Sequence, residues 1–234
     1  MKKIASLLLT LTLAFSLCVP ALAADEPDDW AHAEVDGAIG NGLVPEDLQG
    51  NYQAPITRAE FCRLVVQLMR RTYAEDFIEF IEENGGFTVS FTDTNDREIL
   101  AAAQLGIVNG VGDGKFNPDG SITRQEAAVM LKRAANILEL TPTVALTFYD
   151  ADEFASWAAE GILFTSALID PFSRFPVMGG TGSMRTINDE TAAVFSPHGL
   201  YTRQQAMCTM MRIYDNWLLK NTDPDEYHDM FGFG

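Results

Sequence analysis

Three arginines stand where a helix should least favour them. The chain reads Ile56-Thr57-Arg58-Ala59-Glu60, then Ile122-Thr123-Arg124-Gln125-Glu126, then Tyr201-Thr202-Arg203-Gln204-Gln205, each just ahead of an apolar run. Thr followed three residues later by Glu or Gln is a capping box, in which each side chain satisfies a backbone N–H at the start of a helix. That accounts for Thr57, Thr123, Thr202, Glu60, Glu126 and Gln205 without any ligand. It does not account for Arg58, Arg124 and Arg203, because a cation in the first turn opposes the helix macrodipole at a cost of about 0.3–1 kcal/mol. A bound anion would compensate: a helix N-terminus offers free N–H groups to negative charge, and a guanidinium adds a planar fork suited to a carboxylate. An internal partner such as Asp93 or Asp150 would compensate equally well and make the arginines structural. Spacing alone leaves both open.

The elements that must position these boxes are legible around the second one. Phe91 and Asp93 are followed by Ile99, Leu100, Ala103 and Ile107 at helical spacing, which predicts a short amphipathic helix. Gly106 and Gly110 close it. Gly112, Asp113, Gly114, Asn117, Pro118 and Gly120 then predict a loop, with Phe116 as its one apolar pin. A second helix starts at Thr123. The other two boxes are also preceded by a turn-rich loop with an aromatic residue, Tyr52 and Phe195, and recurrence at this level is a signature of repeat architecture. Between the first two units, residues 74–84 predict a connecting helix stopped by Gly85 and Gly86.

With those residues in view, the run FxD, alanine-rich helix, GIVNGVGDGKFNPDGSITRQEAA resembles the S-layer homology domain over residues 91–138. Upstream, residues from Trp30 look like a second copy lacking the FxD opening. Downstream, Phe148 and Asp150, a helix through Trp157, and the box at Thr202 look like a third copy with about 20 extra residues. The resemblance implies an all-α fold of three helix-loop-helix units around a central helical bundle. It also implies non-covalent attachment to a wall-linked polysaccharide whose sugars often carry a pyruvate ketal, hence a carboxylate. On that reading Arg58, Arg124 and Arg203 meet the ligand carboxylate, while Asp93, Asp150, Trp30, Trp157, Gly110 and Gly179 line grooves between copies. Gln205 keeps the cap but removes a charge expected to lie near Arg203, and no copy has the lysine that family motifs often carry.

The expected organisation is a signal peptide over residues 1–23, repeat one over 24–73, a linker over 74–90, repeat two over 91–140, repeat three over 145–219 with insertions within 171–194, and a tail over 220–234. Lys2 and Lys3, an apolar run from Ile4 to Val19 and Ala21-Leu22-Ala23 carry the signal reading, so secretion to the cell surface is expected with no membrane anchor after cleavage. The remainder has 14 basic and 33 acidic residues, a formal charge of −19. That argues against nucleic acid and requires any binding to an anionic wall to be local.

Cys62 and Cys208 lie on the helices of copies one and three, and read as two small buried thiols rather than a disulfide. No metal or other cofactor is expected: there is no HExxH or CxxC, and the EF-hand-like run from Lys115 has a lysine where the first calcium ligand should be. No enzyme is expected, since no nucleophile elbow or phosphate loop appears. A self-assembling or protein-binding surface component is the alternative to wall anchoring.

Overall fold

The structure is a computed structural model that describes residues 25–73, 76–144, 146–187 and 190–223. The proposed signal segment and most of the tail lie outside these residues. Among the described residues seven α-helices dominate: α1 (His32–Gly40), α2 (Arg58–Thr72), α3 (Phe77–Glu83), α4 (Arg97–Gln104), α5 (Arg124–Ile137), α6 (Ala159–Ala167) and α7 (Arg203–Asn221). The fold is mostly helical rather than all-α, because part of the extra sequence pairs as an antiparallel hairpin, β1 (Met184–Ile187) with β2 (Glu190–Ala193). Arg185-Thr186 against Thr191-Ala192 gives it polar, extended character, and the Thr186 and Thr191 hydroxyls bond across it at 2.7 Å. No described helix is long and apolar enough to cross a membrane.

The helix-loop-helix segments do not close on themselves. α4 packs on α2, α6 on α5 and α1 on α7, so each short helix sits against the capped helix of the preceding segment, and the first against the last. The three capped helices start at one hub. Ile56, Ile122 and Tyr201, each immediately before a capping threonine, are fully buried there. Their backbones bond head to tail: Ile122 N–H to Ile56 O at 3.3 Å, Tyr201 N–H to Ile122 O at 3.0 Å and Ile56 N–H to Tyr201 O at 2.8 Å. Burying three large apolar groups on a closed backbone ring leaves none of these amides unpaired.

The connecting helix α3 forms as predicted, capped by Asp76, with Ile78 buried and Phe80 exposed. Gly85 and Gly86 end it at φ values of 115° and 78°, which side chains rarely adopt. Cys62 and Cys208 are both buried free thiols, as the sequence suggests.

Candidate functional site

All three capping boxes form, with Thr57, Thr123 and Thr202 accepting the N–H of Glu60, Glu126 and Gln205. The free helix N–H groups expected for an anion are not there. Arg58 and Ala59 donate to Gly120 O and Pro118 O, Arg124 and Gln125 to Gly199 O and Pro197 O, and Arg203 and Gln204 to Ala54 O and Tyr52 O. Each helix start is therefore plugged by the loop of another segment.

The arginines follow the same ring. Arg58 donates from Nε to Phe116 O at 2.8 Å and from Nη2 to Asn109 O at 2.7 Å, with its guanidinium 4.5 Å from the Phe116 ring centroid. Arg124 repeats this on the next loop, with Nε to Phe195 O at 2.8 Å, Nη2 to Gly179 O at 2.6 Å and the Phe195 ring at 4.8 Å. Both are buried, and burial pushes both guanidinium pKa values down. Arg203 differs. It bonds Gly50 O at 3.0 Å through Nη1 and forms a forked ion pair with Glu60. Burial works against the Glu60 carboxylate, but the Arg203 and Thr57 hydrogen bonds prevail and hold its pKa below the usual range.

The difference traces to the loops. The backbone bonds align Gly50 with Phe116 and Phe195, not Tyr52 as the aromatic pattern suggested, so Arg203 has no ring beneath it. Phe91 supports Phe116 at 5.2 Å and Phe148 supports Phe195 at 5.3 Å, which gives the FxD phenylalanines their role. The aspartates of those motifs hold the same loops from the other side rather than pairing with the arginines. Asp93 accepts the N–H groups of Phe116 and Asn117, both at 2.8 Å, and Asp150 those of Phe195 and Ser196 at 2.8 and 2.6 Å. The Phe116 N–H is the largest influence lowering the Asp93 pKa. In the first loop Asp25 accepts the Asn51 N–H, so an opening acid exists there too.

One groove of about 460 Å³ gathers four of the predicted residues, Trp30, Arg124, Gly179 and Gln205. Its walls are residues 175–182 and the face of α7 bearing Cys208, Thr209 and Arg212. Trp30 is 53% exposed on its rim, with Nε1 donating to Asp28 at 3.2 Å. Among the described residues no carboxylate lines it, and its charged groups are Arg124 and Arg212. Arg212 is matched by a forked pair with Glu34, which outweighs burial and raises its pKa. Arg124 has no such partner; Asp150, the carboxylate that acts on it, spends both oxygens on the loop.

Gln205 thus faces the Arg124 groove, not Arg203 as the sequence suggested. Trp157, 58% exposed on the turn into α6, lies away from this groove. So do Gly110 and Asp93. A Cβ at Gly110 would meet Lys115 O at 2.6 Å and at Gly179 the Pro176 ring at 2.8 Å, so close approach explains both glycines. Sequence reasoning misses Arg212, hidden in α7 without a motif, and of the wall at 175–182 it marks Gly179 alone.

Behind that wall, Asp170 anchors the turn by accepting the Phe172 and Ser173 N–H groups on one oxygen, while its other oxygen is buried without a donor. Asp215 on α7 lies beside it, and burial, then the Asp170 charge, pushes the Asp215 pKa up to about 8. Among the described residues no group of three or more His, Cys, Asp or Glu is placed to hold a metal ion.

Two curated relatives align over 78% of the chain. Exoglucanase XynX of Acetivibrio thermocellus is 28% identical over 189 residues, and the amylopullulanase of Thermoanaerobacterium thermosulfurigenes is 27% identical over 191 residues. The chain spans only 15% and 9% of the length of these relatives. Residues 91–128, which hold the Asp93 clamp, the Phe116 shelf and the first turn of α5, match the S-layer homology domain, a kind of domain that generally anchors proteins to the cell wall.

Proposed function

We propose that the chain attaches non-covalently to the bacterial cell wall by binding an acidic, pyruvate-bearing wall polysaccharide, using three S-layer homology copies at 24–73, 91–140 and 145–219. It would do so as a secreted surface protein after removal of residues 1–23, without catalysing a reaction. One observation carries this reading: in a chain of formal charge −17, the groove beside Trp30 is lined by two arginines and no carboxylate, and only one of those arginines is matched inside the protein. A buried cation held by neutral carbonyls is costly unless a negative partner arrives.

The division of labour follows from the geometry. Arg124 supplies the charge for a sugar carboxylate, the Trp30 face supplies an apolar platform for a ring, and Gln205 and Thr209 supply hydrogen bonds to hydroxyls. Arg203, paired with Glu60, and Arg58, which spends its guanidinium on loop carbonyls outside this groove, hold the ring together instead.

Co-sedimentation with purified sacculi of the native host tests this. Binding to intact sacculi and loss after acid stripping of the polysaccharide is the expected result. Equal retention on stripped sacculi would overturn it in favour of a protein-binding or self-assembling surface component.

A further inference from the structure

The three cap residues occupy equivalent places, each the third residue of its capped helix. Glu60 shows the consequence directly by capturing Arg203. Glu126 acts on Arg58 as a favourable charge. At the third place stands Gln205, lining the same groove as Arg124. Its Oε1 still accepts the Thr202 N–H at 3.2 Å, so the amide performs the capping as well as a carboxylate would. The fold does not require a neutral residue here.

We infer that Gln205 is the specificity-determining residue of the groove, and that its neutrality is what leaves Arg124 available to an acidic sugar. This rests on the wall-binding reading. Arg124 spends Nε and Nη2 on backbone carbonyls, which are neutral acceptors, and makes no hydrogen bond through Nη1 among the described residues. Its positive charge therefore survives into the groove. A glutamate at 205 would sit as Glu126 does beside Arg58, whose guanidinium keeps its carbonyl partners while the carboxylate acts on it as a charge: it would offset the Arg124 charge and set a negative charge against any incoming carboxylate. Two effects of the same sign then act on an acidic ligand, and neither acts on a neutral one.

The probes are a methyl glycoside bearing a pyruvate ketal and the same glycoside with that carboxylate as its methyl ester, titrated calorimetrically into the intact secreted chain. Wild type should prefer the acid. Gln205→Glu should lower the ratio of acid to ester affinity at least about tenfold relative to wild type and keep its unfolding midpoint, because the capping box is preserved. Gln205→Lys gives a second arm that does not depend on that variant folding, and should bind the acid more tightly than wild type. Wild-type binding of the acid with equal affinity in Gln205→Glu, or no gain in Gln205→Lys, overturns the role of Gln205 alone. Failure of wild type to bind the acid overturns the wall-binding reading and this inference together.

Discussion

The junctions at Arg203 and Arg124 start from the same residues and end differently. Both guanidinium groups reach across to another segment's loop and take a backbone carbonyl, Gly50 O in one and Phe195 O in the other. At Arg203 the loop residue is glycine, no ring is available, and Glu60 neutralises the charge. At Arg124 the loop residue is phenylalanine, the cap residue is an amide, and the guanidinium is covered by a π-face and carbonyls, with Asp150 acting on it without a direct ion pair. The same Thr-Arg-Gln start thus serves as a closed ion pair in one place and an open cationic groove in the other. What decides is the residue it meets across the ring.

The sharpest way to break that comparison is to remove the two cap residues. Glu60→Ala leaves Arg203 uncompensated and opens a cap, so urea denaturation should show a loss of about 3 kcal/mol, whereas Gln205→Ala forfeits only the cap and should lose about 1 kcal/mol. Equal losses would mean the two junctions are held alike. Arg124→Ala comes next. It strands the carbonyls of Phe195 and Gly179 and empties the Phe195 face, which should cost about 2 kcal/mol as well as abolishing wall retention.

The wall of the open junction gives a pH test. Asp215 holds its proton in the folded state up to about pH 8 but releases it near 3.8 when unfolded, so its contribution is full below that lower value and is lost as pH rises through the higher one. Asp215→Asn should remove that slope and raise stability at pH 8 by on the order of 1–2 kcal/mol. A wild-type midpoint that does not fall across this range relative to the variant would refute the pairing with Asp170. The smallest expected effect is at the caps: Thr123→Ala and Thr202→Ala should each cost about 1 kcal/mol in thermal unfolding, independently of the cap partner's charge.

Much of this was legible before any coordinates. The capping boxes announce themselves because their chemistry is local, and so do the helix breaks at Gly85 and Gly86. The choice between an anion and an internal partner was not legible, because the partners of Arg58 and Arg124 are backbone carbonyls, which every residue carries and no pattern marks. The misplacement of Gln205 has the same origin. Spacing ties it to Arg203 two residues away, while packing hands it to Arg124 across the ring. Aligning Tyr52 with Phe116 and Phe195 failed because an aromatic side chain is an ambiguous landmark, whereas the amide ladder fixes Gly50 as their counterpart. The hairpin escaped notice because two four-residue strands carry too weak a period-two signal.

The pairing of the first helix with the last sets an order of events for the growing chain. Ile56 donates to Tyr201, and Glu60 waits for Arg203, so no shorter N-terminal portion can complete the hub. Contacts this distant in sequence form late and slowly. Folding is consequently gated by the arrival of the C-terminal helix, and a nascent chain stopped before residue 203 would remain an unlocked circle, open to proteases at its centre.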